Sequence, residues 1–311
     1  MSRVSFSGKS ESQSQLLYHL GALLAVTAWG ASFISTKVLL QNGLNPVEIY
    51  VYRFVLAYLC TLLICPRPFF SRSLRDELMF MLCGVCGGSI YFIAENMAVE
   101  YTLVSNVSLL TTTSPLITAI IVAVLYKSER VNKPMIFGSL VALTGVGCVI
   151  FNSSQEMQVN PIGDMLALLA ALCWAIYSVV LRPLSAVYST WFISRKTFFY
   201  GVITALPFLA LEEQPFNLGA LCKPEVMGNL LFLGLFASLI AYLLWGRTVR
   251  HLGAVKAGNY LYLAPVVTLA LSAVVLHEHV SYMGYIGCAL ILLGLIVSER
   301  MGHRNNDTKI K

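Results

Sequence analysis

Glu95, within AENMAVE, is the one acid placed well inside an apolar stretch, and Lys37 and Arg53 lie in two other stretches at a similar depth. An ionisable group in an oil-like interior is costly, so it faces either a partner or a water-filled path. Two chemistries follow. Either Glu95 forms a structural ion pair with Arg53 or Lys37, or the three charges build a gate or a proton-linked site. Lys37 has a further option, reaching along its own stem to the polar boundary. Asn96, beside Glu95, is placed to hydrogen-bond within the bundle or to a solute.

The aromatic residues form a second set. Trp29 and Trp174 stand near the middle of their stretches, with Ser32 and Tyr177 about one turn further on. Tyr91, Tyr242, Trp245, Tyr260 and Tyr262 lie in other apolar stretches. Such rings combine apolar area, a polar edge and a face that attracts cations. Trp29, Ser32, Asn96, Trp174, Tyr177, Tyr242, Trp245 and Tyr260 are therefore the candidate solute-contacting residues; for the aromatics among them the alternative role is helix packing. Tyr18, Tyr126 and Tyr282 sit near the ends of stretches, as interfacial aromatics do.

Pro115 and Pro265 fall in the middle of their apolar stretches. Proline removes one helical hydrogen bond and pushes on the carbonyl four residues back. In lipid that carbonyl must be satisfied inside the protein, and Thr111, Thr112, Thr113 and Ser114 are at hand. The pair is read as hinges or cavity walls, against the plainer alternative of static kinks. With Lys37, Arg53 and Glu95 they make up the gating or coupling candidates.

Other chemistry is weakly supported. His277 and His279 flank Glu278 without an evident third ligand. Cys83 and Cys86 form a C-x-x-C inside MFMLCGVCGGSIYF with no second pair, and the eight cysteines read as small apolar residues. There is no Walker A sequence, H-E-x-x-H or G-x-S-x-G. We expect no catalytic residues, no metal, no cofactor and no ATP hydrolysis.

The elements that must position these residues follow from composition. Of 311 residues, 57% are hydrophobic and 12% charged, and the mean hydropathy is +0.74. A soluble domain carries about twice that share of charge, and a disordered chain is far less apolar. An all-α integral membrane protein remains. A spanning helix takes about 20 residues, so about ten fit. The apolar stretches are 17–40, 47–65, 78–98, 103–126, 134–151, 163–183, 192–211, 227–246, 257–276 and 283–298. Turn chemistry separates them at Asn42-Gly43, Pro66-Arg67-Pro68, Asn132-Lys133-Pro134, Asn160-Pro161 and Lys223-Pro224.

The net charge of +6 does not indicate a nucleic-acid partner, because the basic residues sit between apolar stretches. Of the 21 Lys and Arg residues, all but Lys37, Arg53 and Lys223 fall on the side that holds both termini. The positive-inside rule then predicts an N-in, C-in topology.

The halves of the chain resemble each other. Ile90 to Thr118 aligns with Ile240 to Thr268 at an offset of 150, pairing Val99 with Val249, Pro115 with Pro265 and Thr118 with Thr268. Glu129, Gly138 and Gly145 then match Glu278, Gly287 and Gly294, and Trp29 matches Trp174. Five helices per repeat is an odd number, so the second repeat enters the membrane upside down. The predicted organisation is a tail (1–15), a first repeat (16–151), an external linker (152–162), a second repeat (163–299) and a tail (300–311). Two inverted five-helix repeats around a central cavity are an architecture of secondary transporters.

Several segments then carry a family likeness: WGASFISTK (29–37), the Pro46 to Arg53 spacing, AVEYTLVSNVSLL (98–110), SPLITAIIVAVLYKSER (114–130), GDMLALLAALCWAIYSVVLR (163–182) and LAPVVTLALSAVVLHE (263–278). In this order the chain resembles an EamA-type member of the drug/metabolite transporter superfamily from about 17 to 299. The resemblance implies a ten-helix basket. Helices one, three, four, six, eight and nine would enclose a cavity, with five and ten behind. It also implies a bacterial inner-membrane carrier that exports an amino-acid-like metabolite or drug-like compound by alternating access. A proton or a counter-solute is the partner such a carrier would use. Glu95-Asn96 departs from the more usual apolar residues there, so the resemblance assigns that pair no role. The competing functions are a membrane-embedded lipid-modifying enzyme and an uncoupled facilitative pore.

Overall fold

The computed structural model describes residues 7–102, 104–125, 133–151, 160–212, 216–275 and, in short segments, 282–297. Among these the regular structure is entirely helical. The elements are α1 (Ser7–Gln41), α2 (Pro46–Ile64), α3 (Leu74–Tyr101), α4 (Val104–Thr111), α5 (Ser114–Leu125), α6 (Lys133–Phe151), α7 (Pro161–Val187), α8 (Thr190–Ala210), α9 (Pro224–Leu252), α10 (Ala254–Asn259), α11 (Ala264–Val275) and α12 (Tyr285–Gly294). Six helical segments are long and apolar enough to cross a membrane: Gln15–Gln41 within α1, α2, α3, α7, α9 and the run Ala254–Val275. The His277-Glu278-His279 group, Tyr126, and Lys127 and Arg130 lie outside the described residues.

Local sequence sets the helix starts. Asn45 accepts a hydrogen bond from the Glu48 amide at 2.7 Å, Glu48 accepts from the Asn45 amide, and Pro46 opens α2. This is a capping box with proline at the first position. Ser73, Asn160 and Ser189 cap α3, α7 and α8, each side chain accepting from a backbone amide of the first turn. Gly253, at φ +85°, makes the turn between α9 and α10, a backbone geometry that excludes most side chains.

The repeat is visible in the elements. Leu74 and Pro224 open α3 and α9, Val104 and Ala254 open α4 and α10, and Ser114 and Ala264 open α5 and α11, each pair 150 residues apart. The likeness extends to irregularities. Both α3 and α9 contain π-helical turns, at Val85–Ser89 and Phe232–Ile240. Such turns are uncommon and concentrate at functional sites.

α1 packs along α9 and α11 and against α3. α8 lies on α2 and α3. Contact there is close enough that a Cβ on Gly84 would stand 2.7 Å from the Gly201 amide. The outer surface is aliphatic: Leu63 is 82% exposed and Val124 73%. Such a surface suits lipid contact rather than water.

Pro115 and Pro265 do more than bend their helices. α4 stops at Thr111 and α5 restarts at Ser114, with Pro115 second in the new helix. In the other half, α10 is followed by a 3-10 turn, Tyr260–Leu263, and α11 restarts with Pro265 second. A ring in the first turn costs no hydrogen bond, so interruption is the cheaper solution than a strained continuous helix.

Candidate functional site

The two interruptions meet. Thr111, Thr112 and Ser114 from the first, and Leu261 and Ala264 from the second, line one small space with Trp29, Ser32 and Phe33 of α1, Tyr91, Phe92 and Glu95 of α3, and Trp174 of α7. Its volume is about 30 Å3. That holds a water or two and no metabolite in this conformation.

Polar groups are distributed unevenly over the wall. On the interrupted helix, Thr112 and Thr113 donate to the Ser108 and Leu110 carbonyls at 2.5 and 2.7 Å, and Thr111 donates to Val107 at 2.9 Å. These hydroxyls satisfy carbonyls of α4, not the carbonyl of Thr111 itself. Thr118 and its repeat partner Thr268 take the same role, donating to the Ser114 and Ala264 carbonyls at 2.8 and 3.0 Å. Thr268 also reaches the Gly30 carbonyl at 2.9 Å, tying α11 to α1. Ser32 donates to the Trp29 carbonyl at 2.7 Å.

Glu95 is 4% exposed and accepts a hydrogen bond from the Tyr91 hydroxyl at 2.5 Å. Four residues apart, the two side chains share one face of α3. Arg53 is fully buried. Its Nε donates to Ser238 Oγ at 2.9 Å, its guanidinium lies 4.1 Å from the centre of the Phe92 ring, and neither Nη atom has a partner among the described residues. Lys37 donates to the Val99 carbonyl at 3.1 Å. Neither cation is ion-paired with Glu95; the ion pair found among the described residues is Lys196 with Glu77. The three charges read as a cluster from sequence thus resolve into a carboxylate on the cavity wall, a guanidinium behind one ring of that wall, and an ammonium serving a helix end.

Two indoles line the space and a third packs against them. Trp29 and Trp174 meet edge to face, ring centres 4.9 Å apart, with Trp245 at 5.2 Å from Trp29. Trp29 donates to the Ala237 carbonyl at 2.8 Å, whereas the Trp174 and Trp245 N–H groups have no partner among the described residues. Tyr242 and Tyr177 pack behind Trp174 at 5.9 and 5.1 Å, and the Tyr242 hydroxyl donates to the Gly87 carbonyl. Of the eight solute-contacting candidates, the cavity wall holds Trp29, Ser32 and Trp174. Tyr177, Tyr242 and Trp245 form a second layer. Asn96 is fully buried and donates to the Pro46 carbonyl at 2.9 Å. The Tyr260 hydroxyl meets His19, beside the stacked rings of Tyr18 and His251.

Phe33, Phe92, Leu261 and Ala264 were not singled out from sequence. Two of them had a signal: Phe92 is three residues before Glu95, on its face of the helix, and Ala264 is the repeat partner of Ser114. A second feature had none. At one end of α8, Lys196 pairs with Glu77, which also accepts from Tyr200 and from the Ser71 amide, while Arg195 donates to the Cys65 and Pro68 carbonyls. This network bolts the α2–α3 connection to α8.

Comparison with known proteins follows the same lines. A transporter from Clostridium kluyveri is 26% identical over 92% of this chain and 94% of its own. A protein named a probable terminal-alkyne amino-acid exporter, from Streptantibioticus cattleyicolor, is 27% identical over 89% of this chain and 92% of its own. A probable amino-acid metabolite efflux pump from Escherichia coli K12 is 24% identical over 89% and 93%. One crystal structure superposes with a TM-score of 0.72 at 20% identity, covering 94% of this chain and 98% of the other, which shows a shared fold. The EamA-like transporter family is matched over residues 16–151 and again over 161–299. With two matched repeats spanning nearly all of its helices, this membrane protein belongs to the EamA-like transporter family.

Proposed function

We propose that the chain is a secondary transporter that exports a small, amino-bearing, amino-acid-like metabolite across a bacterial inner membrane by alternating access. The observation that carries this reading is the position of Glu95. It is a buried carboxylate on the wall of a cavity that indole rings also line, where two interrupted helices from the two repeats meet. A carboxylate ringed by aromatic faces favours an ammonium group. Interrupted helices at a repeat interface are where such carriers bind solute. The efflux proteins among the relatives are consistent with an outward direction.

The small cavity fits the same mechanism. A carrier that alternates must pass through a closed form, and a facilitative pore would keep a continuous path. The distribution of basic residues along the sequence supports both termini lying in the cytoplasm. A lipid-modifying enzyme would need several polar groups converging at the membrane boundary, whereas Lys37 is engaged by a backbone carbonyl and Arg53 is buried in the core.

The test is efflux from proteoliposomes loaded with mixed amino acids and amines, with and without an imposed pH gradient. Saturable release of amino compounds that weakens in Glu95→Gln supports the reading. Release that never saturates indicates a pore, and absence of release under every gradient refutes transport of this class.

A further inference from the structure

Arg53 is the electrostatic anomaly of the molecule. A guanidinium has five donors, and here two nitrogen atoms, Nη1 and Nη2, are buried with no acceptor among the described residues. Buried polar groups are nearly always satisfied, and an orphan deserves an explanation. Among the described residues no carboxylate lies within ion-pair range of it: Glu95 accepts from Tyr91, and Glu77 pairs with Lys196. Ser238 holds only Nε. The guanidinium is nevertheless next to the cavity, since the Phe92 ring it covers at 4.1 Å is itself part of the wall. Phe92 and Glu95 occupy one face of α3, so a single face presents a carboxylate and, across one ring, a guanidinium whose Nη atoms have no acceptor among the described residues.

We propose that Arg53 is the carboxylate-binding group of this site, and that the solute is a zwitterion held with its ammonium at Glu95 and its carboxylate on the two free Nη atoms. The assignment rests on the transport reading given above. The solute reaches Arg53 when Phe92 turns aside as the cavity widens. Paired parallel hydrogen bonds from a guanidinium suit a carboxylate specifically. A simple amine would satisfy Glu95 and leave Arg53 orphaned, and a simple acid would do the reverse. Only a solute with both groups neutralises both side chains. A site built around a polar group strongly rejects the analogue that lacks it.

The experiment uses the full chain in proteoliposomes, loaded with an equimolar mixture of the proteinogenic amino acids other than aspartate and glutamate, or with the matching decarboxylated amines. Wild type is expected to release amino acids at least about tenfold faster than amines. Arg53→Met should cut amino-acid release about tenfold or more and leave amine release within about twofold, so the preference disappears. The same variant, free of solute, should melt no lower than wild type, because an orphan buried charge has been replaced by an apolar chain of similar size. Phe92→Leu, which thins the barrier, should keep the preference for amino acids and raise their rate. An Arg53→Met protein that folds and keeps the preference overturns the proposal. So does one that melts lower, with melting restored in Arg53→Lys, which would make Arg53 a strut between Ser238 and Phe92. Equal release of acids and amines by wild type overturns the Arg53 assignment alone; release of neither mixture overturns the transport reading with it.

Discussion

Single side chains on the cavity wall make separable predictions. Glu95→Gln keeps an oxygen for the Tyr91 hydroxyl and removes a buried charge. Stability should hold, while export of amino compounds should fall about 10- to 100-fold, the worth of a hydrogen bond to a charged group. Tyr91→Phe should do the opposite. It strips Glu95 of its donor and should lower the unfolding free energy by about 1–3 kcal/mol, read from chemical denaturation in detergent. If Glu95→Gln unfolds and Tyr91→Phe is neutral, the carboxylate is structural. Ser32 is 3% exposed beside a space of about 30 Å3. Ser32→Trp overfills the closed form at a cost of about 1–3 kcal/mol, and transport should stop while folded protein still accumulates in the membrane. Normal transport in this variant would move the cavity off α1.

Helix interruptions are the next scale up. At α4–α5 and α10–α11 the chain breaks where a proline stands second in the new helix, and threonines bond nearby carbonyls. Replacing Pro115 or Pro265 by Ala restores an N–H and removes the ring that bars a continuous helix. Each change should slow transport, on the order of tenfold, with the amount of folded protein unchanged, as measured by size-exclusion chromatography beside an efflux assay. Equal rates in both variants would reduce the interruptions to passive geometry. Away from the cavity, Lys196 and Glu77 have side chains only 5% and 19% exposed. Glu77→Gln leaves a buried ammonium without a counter-charge. Lys196→Met leaves a carboxylate that still accepts from Tyr200 and Ser71. The first should destabilise by about 3 kcal/mol and more than the second; a reversed order of melting temperatures would contradict the bolted α2–α3 connection.

For the whole molecule, the repeat ties architecture to mechanism. Helix starts 150 residues apart and matched π-helical turns mean that one helical design was used twice. The positive-inside rule, applied to the charges of the sequence, predicts that the two copies lie upside down relative to each other. A periplasm-dependent phosphatase fused after Lys311 should therefore be inactive, and the same enzyme inserted near Gln214 should be active. Activity of the terminal fusion would undo the inverted arrangement and the alternating-access reading with it.

Composition and spacing by themselves determined a good deal. An apolar chain with few charges has to be a helical membrane protein, because only internally hydrogen-bonded segments survive in lipid. Repeated Pro115 and Pro265 mark the interruptions, since a proline acts on its own backbone wherever the helix goes. Trp29 and Glu95 stand out because a polar atom in an apolar stretch is costly in any fold. The tertiary structure alone decided partners. Lys37 bonds a carbonyl 62 residues away and Arg53 a hydroxyl 185 residues away, while Asn96 turns to Pro46 and Tyr260 to His19. Sequence pattern locates a side chain on a helix face only when one face is polar and the other apolar. Here both faces are apolar, one meeting lipid and one the core, so the rotation of each helix, and with it the side chains that reach the cavity, is set by packing between helices far apart in the chain.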